Sequence, residues 1–423
     1  MSHQTGRLVV LVLCVWGPVI TGLVGPGSVS AAPMSDPTTR VIRFDEIETL
    51  AREAGPRLRI LDEQLEIARA ERDDALQWSL PQLAYDREHI VTAEEWQVTV
   101  HKRLSNPLSQ KAQRRGWEAY VRAEGHRQQQ ETAEFLADLK TGYVRLRLLE
   151  TYVGRLGKLA ELIELASGFA DSRHAEGNLS GAEKHLIRLS AYGVEAHRRQ
   201  VKQQHRELGA TWAADVGIPG EAELKLTTPI TYDAVALQDV GDYVALLEDR
   251  PAVSAQTALA QAWADRASAA HPSILPGIDL YGGYKKYEPS SDGFVAGIAV
   301  DLPLFHHKAG EARLYEARRR VVEYERAADL ARATKEVESL VRTIEEAQPA
   351  LAGFADALDR DPPLTDTLLF SYREGSLTLD ALLNAIQIEM AALETYYQEL
   401  SLYYRSLFRL EAVTGISIAQ IGS

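Results

Sequence analysis

Hydrophobic positions along the chain follow two periods, one helical and one of two residues, and the whole order occurs twice. From Tyr372 to Ile416 the helical period dominates: Leu379, Ile386, Leu393, Leu400 and Leu407 recur every seventh residue. Leu382, Tyr396, Tyr403 and Leu410 fill most of a second seam three residues on, broken by Glu389. This spacing predicts a coiled-coil-like helix, opened by a turn at Gly375 and stopped at Gly415. An upstream stretch has the same outline. Glu176-Gly177-Asn178-Leu179-Ser180 precedes a polar–apolar helix that stops at Val216-Gly217-Ile218. The offsets agree, 375 − 177 = 198 and 415 − 217 = 198, so two copies of one long unit are expected.

Between Pro81 and Leu104 the period changes to two. Trp96, Val98, Val100 and Leu104 share one face, with Lys102 the exception; Glu95, Gln97, Thr99, His101 and Arg103 share the other. A strand with one apolar and one wet face follows, with Gln82 to Ile90 as its hairpin partner. The second strand region is cleaner. Phe294, Ala296, Ile298, Val300, Leu302 and Leu304 lie on one face, Gly277 to Tyr287 is the partner, and Glu288 to Gly293 is the loop. Alone, these are compatible with a soluble two-stranded sheet packed on helices. An isolated hairpin is marginal in water, however, and four strands cannot close a barrel unless several chains pool them.

The remaining stretches read as helix. One runs from Phe44 to a break at Gly55-Pro56, and another from Arg57 to about Trp78. Leu108 to Ala170 holds no proline and repeats Leu139, Leu146, Val153 and Ala160 by sevens; such a helix is about 90 Å long. Residues 218–251, rich in Gly, Pro and Thr, form a connector with a short helix near Val240. Helix resumes from Ala252 to Ala270 and from Ala309 to Ala347. Pro349, Pro362 and Pro363 predict a break from about Pro349 to Pro363, because a proline inside a helix costs about 3 kcal/mol. The expected organisation is a first repeat over 32–217, the connector over 218–251, a second repeat over 252–416 and a tail over 417–423.

Composition narrows the function. A net charge of −14 over 423 residues argues against nucleic acid, which needs clustered Lys and Arg. Residues 1–31 resemble a secretory signal: His3 and Arg7, then apolar Leu8 to Ile20, then Val29-Ser30-Ala31 as a small-residue cleavage site. Gly17-Pro18 interrupts the apolar run, which is shorter than the roughly 20 residues needed to span a bilayer. Cys14, the one cysteine, lies in that segment, so no disulfide or Cys-based metal site is expected. With no run long enough for a transmembrane helix, entry into a membrane would have to use strands. No catalytic motif stands out. His306-His307 is the one adjacent His pair, too few ligands for a metal. His185, His197 and His205 read as solvent-facing. An enzyme is not expected, nor any cofactor.

The order strand hairpin, long helical hairpin, connector, then all of it again resembles the TolC-like outer-membrane efflux proteins. Three motifs carry the resemblance: Val300-Asp301-Leu302-Pro303-Leu304-Phe305 with Gly310 and Glu311-Ala312-Arg313; Tyr372-Arg373-Glu374-Gly375-Ser376-Leu377-Thr378-Leu379; and Leu410-Glu411-Ala412-Val413-Thr414-Gly415. The Leu-Phe-His-His-Lys-Ala-Gly segment is similar to the heavy-metal branch of that family. The resemblance implies a mainly α chain with a small β part, in which long antiparallel helical hairpins accompany four amphipathic strands. Three copies would pool their strands into a twelve-stranded outer-membrane β-barrel. Trp96, Val98, Val100, Phe294, Ile298, Val300 and Leu302 would face outer-membrane lipid. Gly177, Leu179, Ser180, Arg373, Gly375, Leu377 and Thr378 would form the tips that dock a periplasmic adaptor, itself coupled to an inner-membrane pump of the resistance-nodulation-division type. The family often has an acid nine residues after the second tip glycine. Asn384 stands there, with Asp380 four residues earlier, as the candidate pore constriction. The competing function is a periplasmic coiled-coil adaptor or spacer without a pore. Adaptors typically have one helical hairpin, whereas two are expected here.

Overall fold

Helix starts and stops in this chain are set by side chains that satisfy the free backbone groups at helix ends. In the computed structural model, Asn106 accepts from the Leu108 amide at 2.9 Å and Pro107 occupies the first turn. This starts α3 (Pro107–Ala175), a helix of 69 residues and hence about 100 Å. The structure describes residues 40–90, 93–104, 106–177, 179–218, 224–270, 278–288, 291–300, 309–358, 364–419 and 421. The expected signal peptide, His306-His307 and Leu302 lie outside them.

In chain order, β1 (Arg40–Ile42) leads through a short 3-10 turn to α1 (Ile47–Ala54) and α2 (Pro56–Ala75). The hairpin β2 (Gln82–Ile90) and β3 (Ala93–Leu104) precedes α3, which is followed by α4 (Gly181–Asp215). The connector holds β4 (Leu224–Leu226) and α5 (Val240–Ala245), the short helix expected near Val240. Then come α6 (Pro251–Ala270), β5 (Ile278–Glu288), β6 (Ser291–Val300), α7 (Ala309–Leu358), α8 (Leu364–Arg373) and α9 (Leu379–Thr414). The chain is mainly α with a small β part, as its periodicity predicts.

The heptad positions of α9 are the packing positions. Leu379, Leu382, Ile386, Leu393, Leu400 and Leu407 are all buried, against Leu156 and Ile163 of α3 toward one end and Val337 and Val341 of α7 toward the other. A further core joins α1, α2, α3 and α4 around Ile47, Leu139, Tyr143 and Trp212. Trp212 explains one helix-weakening glycine: its indole donates to the Leu139 carbonyl at 2.9 Å, and a Cβ on Gly142 would lie 2.6 Å from its ring.

Tyrosine hydroxyls fasten the connector. Tyr403 donates to the Asp233 carbonyl at 2.8 Å and Tyr404 to the Thr231 carbonyl at 2.6 Å. Tyr143 donates to the Ile42 carbonyl at 3.1 Å and accepts from the Thr228 amide at 3.2 Å. Burial pushes the Tyr403 phenol up to about 12, so it stays a donor. β1 pairs in parallel with β4, bringing the start of the described chain onto the same connector.

Two expectations change. Pro349 does not break its helix; α7 runs through it to Leu358. Ile344, Ala347 and Leu351 are buried on either side of it, so packing holds the helix across the lost hydrogen bond. The described part of α7 ends at Leu358 and α8 begins at Leu364; residues 359–363, with Pro362 and Pro363, lie outside the described ones. Nor are all three histidines of α4 solvent-facing. His185 is exposed, but His197 is partly covered and bonded to the Tyr152 hydroxyl at 2.8 Å. Burial holds His205 below the usual imidazole range.

Candidate membrane sheet and docking tip

The four long strands form one antiparallel sheet in the order β2-β3-β5-β6. Their lengths, 9, 12, 11 and 10 residues, match the 9–11 residues or so that a tilted strand needs to cross a bilayer. Register decides which side chains share a face. Tyr85 pairs with Val98, Val98 with Tyr284, and Tyr284 with Phe294. Leu83 pairs with Val100, and Leu280 with Ile298. One face is therefore apolar across all four strands, and it is bare: Phe294 is 92% exposed and Ile298 68%, with Val100 and Val300 exposed as well. Trp96 and Val98 lie on the same face, half-buried among their neighbours.

An aromatic row crosses this face near the hairpin loops. Tyr85 and Trp96 are 6.5 Å apart, Trp96 and Tyr284 5.7 Å, and Tyr284 and Phe294 6.0 Å. The opposite face is polar on β2, β3 and β5 and small-residued on β6, where Gly293, Val295, Gly297 and Ala299 lie. Lys285 pairs with Glu95, Gln97 donates to Asp86 at 3.2 Å, and His101 bonds Thr99 and stacks on Tyr281. A soluble sheet would bury the first face, and none of the described residues covers it at Phe294 or Ile298.

The helical turns at Gly177 and Gly375 lie together. Both glycines have left-handed backbones, φ +79° and +77°, the region where only glycine is unstrained. The helices after them start alike. Ser180 accepts from the Glu183 amide at 3.2 Å, and Thr378 accepts from the Ala381 amide at 3.3 Å. Arg173 ties the turns to each other, donating to the carbonyls of Tyr372 and Arg373 at 3.1 and 3.2 Å. Its guanidinium also lies over the Tyr372 ring at 5.1 Å. Of the expected tip residues, Arg373, Gly375 and Thr378 are exposed, while Leu179 and Leu377 are partly covered and pack against the core beneath. Asp380 and Asn384 are both exposed, one turn apart at the start of α9.

Arg173 was not legible from spacing. A single arginine four residues before a turn glycine has no distinguishing pattern, and its partners are backbone carbonyls in a segment 199 and 200 residues away. The role of Glu411 was also hidden. Its carboxylate accepts from the amides of Ile418 and Ala419 at 2.6 and 2.7 Å and lies 3.5 Å from Lys140, which folds the chain after Gly415 back onto α9.

No family model matches the sequence, and no curated protein is significantly similar to it. Solved structures do match. The outer-membrane channel OprN superposes with a TM-score of 0.73 at 16% identity, over 88% of this chain and 89% of that one. The Campylobacter jejuni CmeC outer membrane channel gives 0.71 at 12% identity, over 92% and 91%. CusC, a protein that undergoes conformational changes accompanying folding and transmembrane channel formation, gives 0.69 at 14% identity, over 88% and 91%. The long helical hairpins and the four-stranded sheet are thus arranged as in those proteins, and this chain has the fold of the TolC-like outer-membrane channels.

Proposed function

We propose that this protein is an outer-membrane channel subunit of a tripartite efflux system, a passive exit duct for substrates that an inner-membrane pump delivers through a periplasmic adaptor. The observation that carries this reading is the sheet: four strands of bilayer-crossing length, apolar on an uncovered face and polar on the other, continuous with long helices. Backbone groups cannot stay unpaired in lipid, yet β2 and β6 each leave one edge unpaired by the other long strands. Copies must therefore join edge to edge. The helices next to these strands carry matching cues. On the β2 side, Ile60 and Ile67 of α2 are exposed at 56% and 57%; on the β6 side, Val321 and Tyr324 of α7 are exposed at 52% and 72%. Joining the β2–α2 edge of one copy to the β6–α7 edge of the next is a head-to-tail contact, which makes a ring when the rotation between copies closes, as a barrel without free edges requires. Three copies give 3 × 4 = 12 strands, an even number within the range of membrane barrels.

The chain on this reading is a duplicated unit, exported with a signal peptide cleaved near Ala31 or Ala32. The tips at Gly177 and Gly375 dock the adaptor, the pump is of the resistance-nodulation-division type, and Asp380 with Asn384 lines the narrow end. A rigid turn with exposed polar groups suits recognition by a partner. The detergent-solubilised protein should have the mass of three chains and conduct ions in planar bilayers. A water-soluble monomer without conductance would sink the proposal. Gly375→Trp should abolish export while trimers still form, and normal export in that variant would remove the tip from the docking site.

A further inference from the structure

Lys102 is the charge that interrupts the apolar face of β3. Its ammonium lies 5.7 Å from the centre of the Trp78 ring and donates to the Ser79 carbonyl, while the Ser79 hydroxyl donates to the Arg103 carbonyl at 3.0 Å. The segment between α2 and β2 is thereby pinned against the end of the sheet, with Trp78 against the ammonium that rises from the apolar face. Pinning leaves its apolar groups bare: Trp78 is 70% exposed and Leu80 84%, and Leu83, the first apolar-face residue of β2, is 73% exposed. A tryptophan and two leucines held this exposed bury little apolar surface in the isolated chain.

Position along the sheet indicates what covers them. Trp96 marks the aromatic row near the hairpin loops, and β3 ends at Leu104, next to Arg103, whose carbonyl Ser79 bonds; 104 − 96 = 8 residues separate the two levels. That is about 26 Å along a strand and about 20 Å across a bilayer once the strand tilts. Arg87 and Lys286 pair with Trp96 at the far level, as Lys102 stands at the near one. An apolar band of this height, bounded at both ends by aromatic rings and cations, fits a bilayer, in which tryptophan and lysine settle at the headgroups. An ammonium has three donors, so Lys102 can hold the Ser79 carbonyl and still meet a phosphate.

We propose that Trp78 and Leu80, clamped by Lys102, form an interfacial anchor that seats in the periplasmic-side headgroup layer of a phospholipid bilayer. The anchor fixes the depth at which the helices leave the membrane. This inference rests on the sheet crossing the membrane. A second copy is the other candidate occupant, but ring closure uses the strand edges, and Lys102, which holds Trp78, belongs to the outward face.

The test uses the full chain reconstituted in vesicles of phosphatidylcholine and phosphatidylglycerol whose acyl chains carry bromine at shallow or deep positions. The contribution of Trp78 is the difference between the wild-type emission and that of Trp78→Phe. Shallow bromines should quench this component more than deep ones, and Lys102→Glu should reduce that quenching. A single-cysteine Leu80→Cys variant in a Cys14→Ser background should take up a lipid-phase probe and form no disulfide between copies. If the vesicles conduct ions but the Trp78 component is unquenched, or if Leu80→Cys cross-links copies, the anchor is wrong while the channel reading stands. If the chain neither inserts nor conducts, both fail.

Discussion

Gly217 and Gly415 end the two return helices 415 − 217 = 198 residues apart, with the same left-handed backbone, φ +75° and +77°. Replacing either with alanine should cost about 1–2 kcal/mol for placing a Cβ in that region. Their surroundings differ. A Cβ on Gly415 would meet nothing within 4 Å, whereas one on Gly217 would lie 2.2 Å from the Ala54 carbonyl oxygen and 2.5 Å from its carbon. Those are backbone atoms at the end of α1, which cannot rotate aside. Forcing them apart should add about 1–3 kcal/mol, the usual cost of overpacking. The expected totals are about 2–5 kcal/mol for Gly217→Ala against about 1–2 kcal/mol for Gly415→Ala. Any gain from a stiffer unfolded chain is common to both and cancels. In urea titrations followed by circular dichroism in detergent, with an m-value of about 3 kcal/mol/M, the midpoints should fall by roughly 0.7–1.7 M and 0.3–0.7 M. Equal shifts would refute the argument that the neighbouring backbone, rather than backbone conformation alone, requires glycine at Gly217.

Glu389 interrupts the α9 seam with a carboxyl whose Oε2 is buried and has no hydrogen-bond partner among the described residues, and burial raises its pKa despite Arg155 nearby. An acid whose folded pKa is raised favours the folded state below its unfolded pKa of about 4.3 and loses that contribution as pH rises through the folded value. Glu389→Gln should raise the urea midpoint at neutral pH and leave it unchanged in acid; a pH-independent difference would contradict this. Tyr403→Phe removes the donor to Asp233 and the acceptor for the Val235 amide, and should cost about 1–3 kcal/mol, read as faster amide exchange at Val235. Ile298→Arg places a charge on the uncovered apolar face and should cost about 2–4 kcal/mol if it lies near the bilayer centre. Ala299→Arg, on the opposite face and paired with Asp279, should still assemble, and equal loss of membrane-inserted protein in both would refute the assignment of faces.

The period of the long elements is legible along the chain. Seven-residue spacing marked the face α9 buries, because a helix must bring those positions to one side. Two-residue alternation marked the strands, and glycine at 177, 217, 375 and 415 marked left-handed turns, because other residues are strained there. Pattern could not show what lies across from a residue. Pro349 reads as a helix breaker until Leu351 and Ile344 are seen holding α7 continuous. Lys102 reads as an error in an apolar face until its ammonium is found against the Trp78 ring. Arg173 has no pattern at all, since its partners are carbonyls brought near by the meeting of two turns. Periodicity is a local property of the backbone and can be read along one chain. Which residues meet depends on contacts between segments far apart in sequence, and only the tertiary structure brings those together.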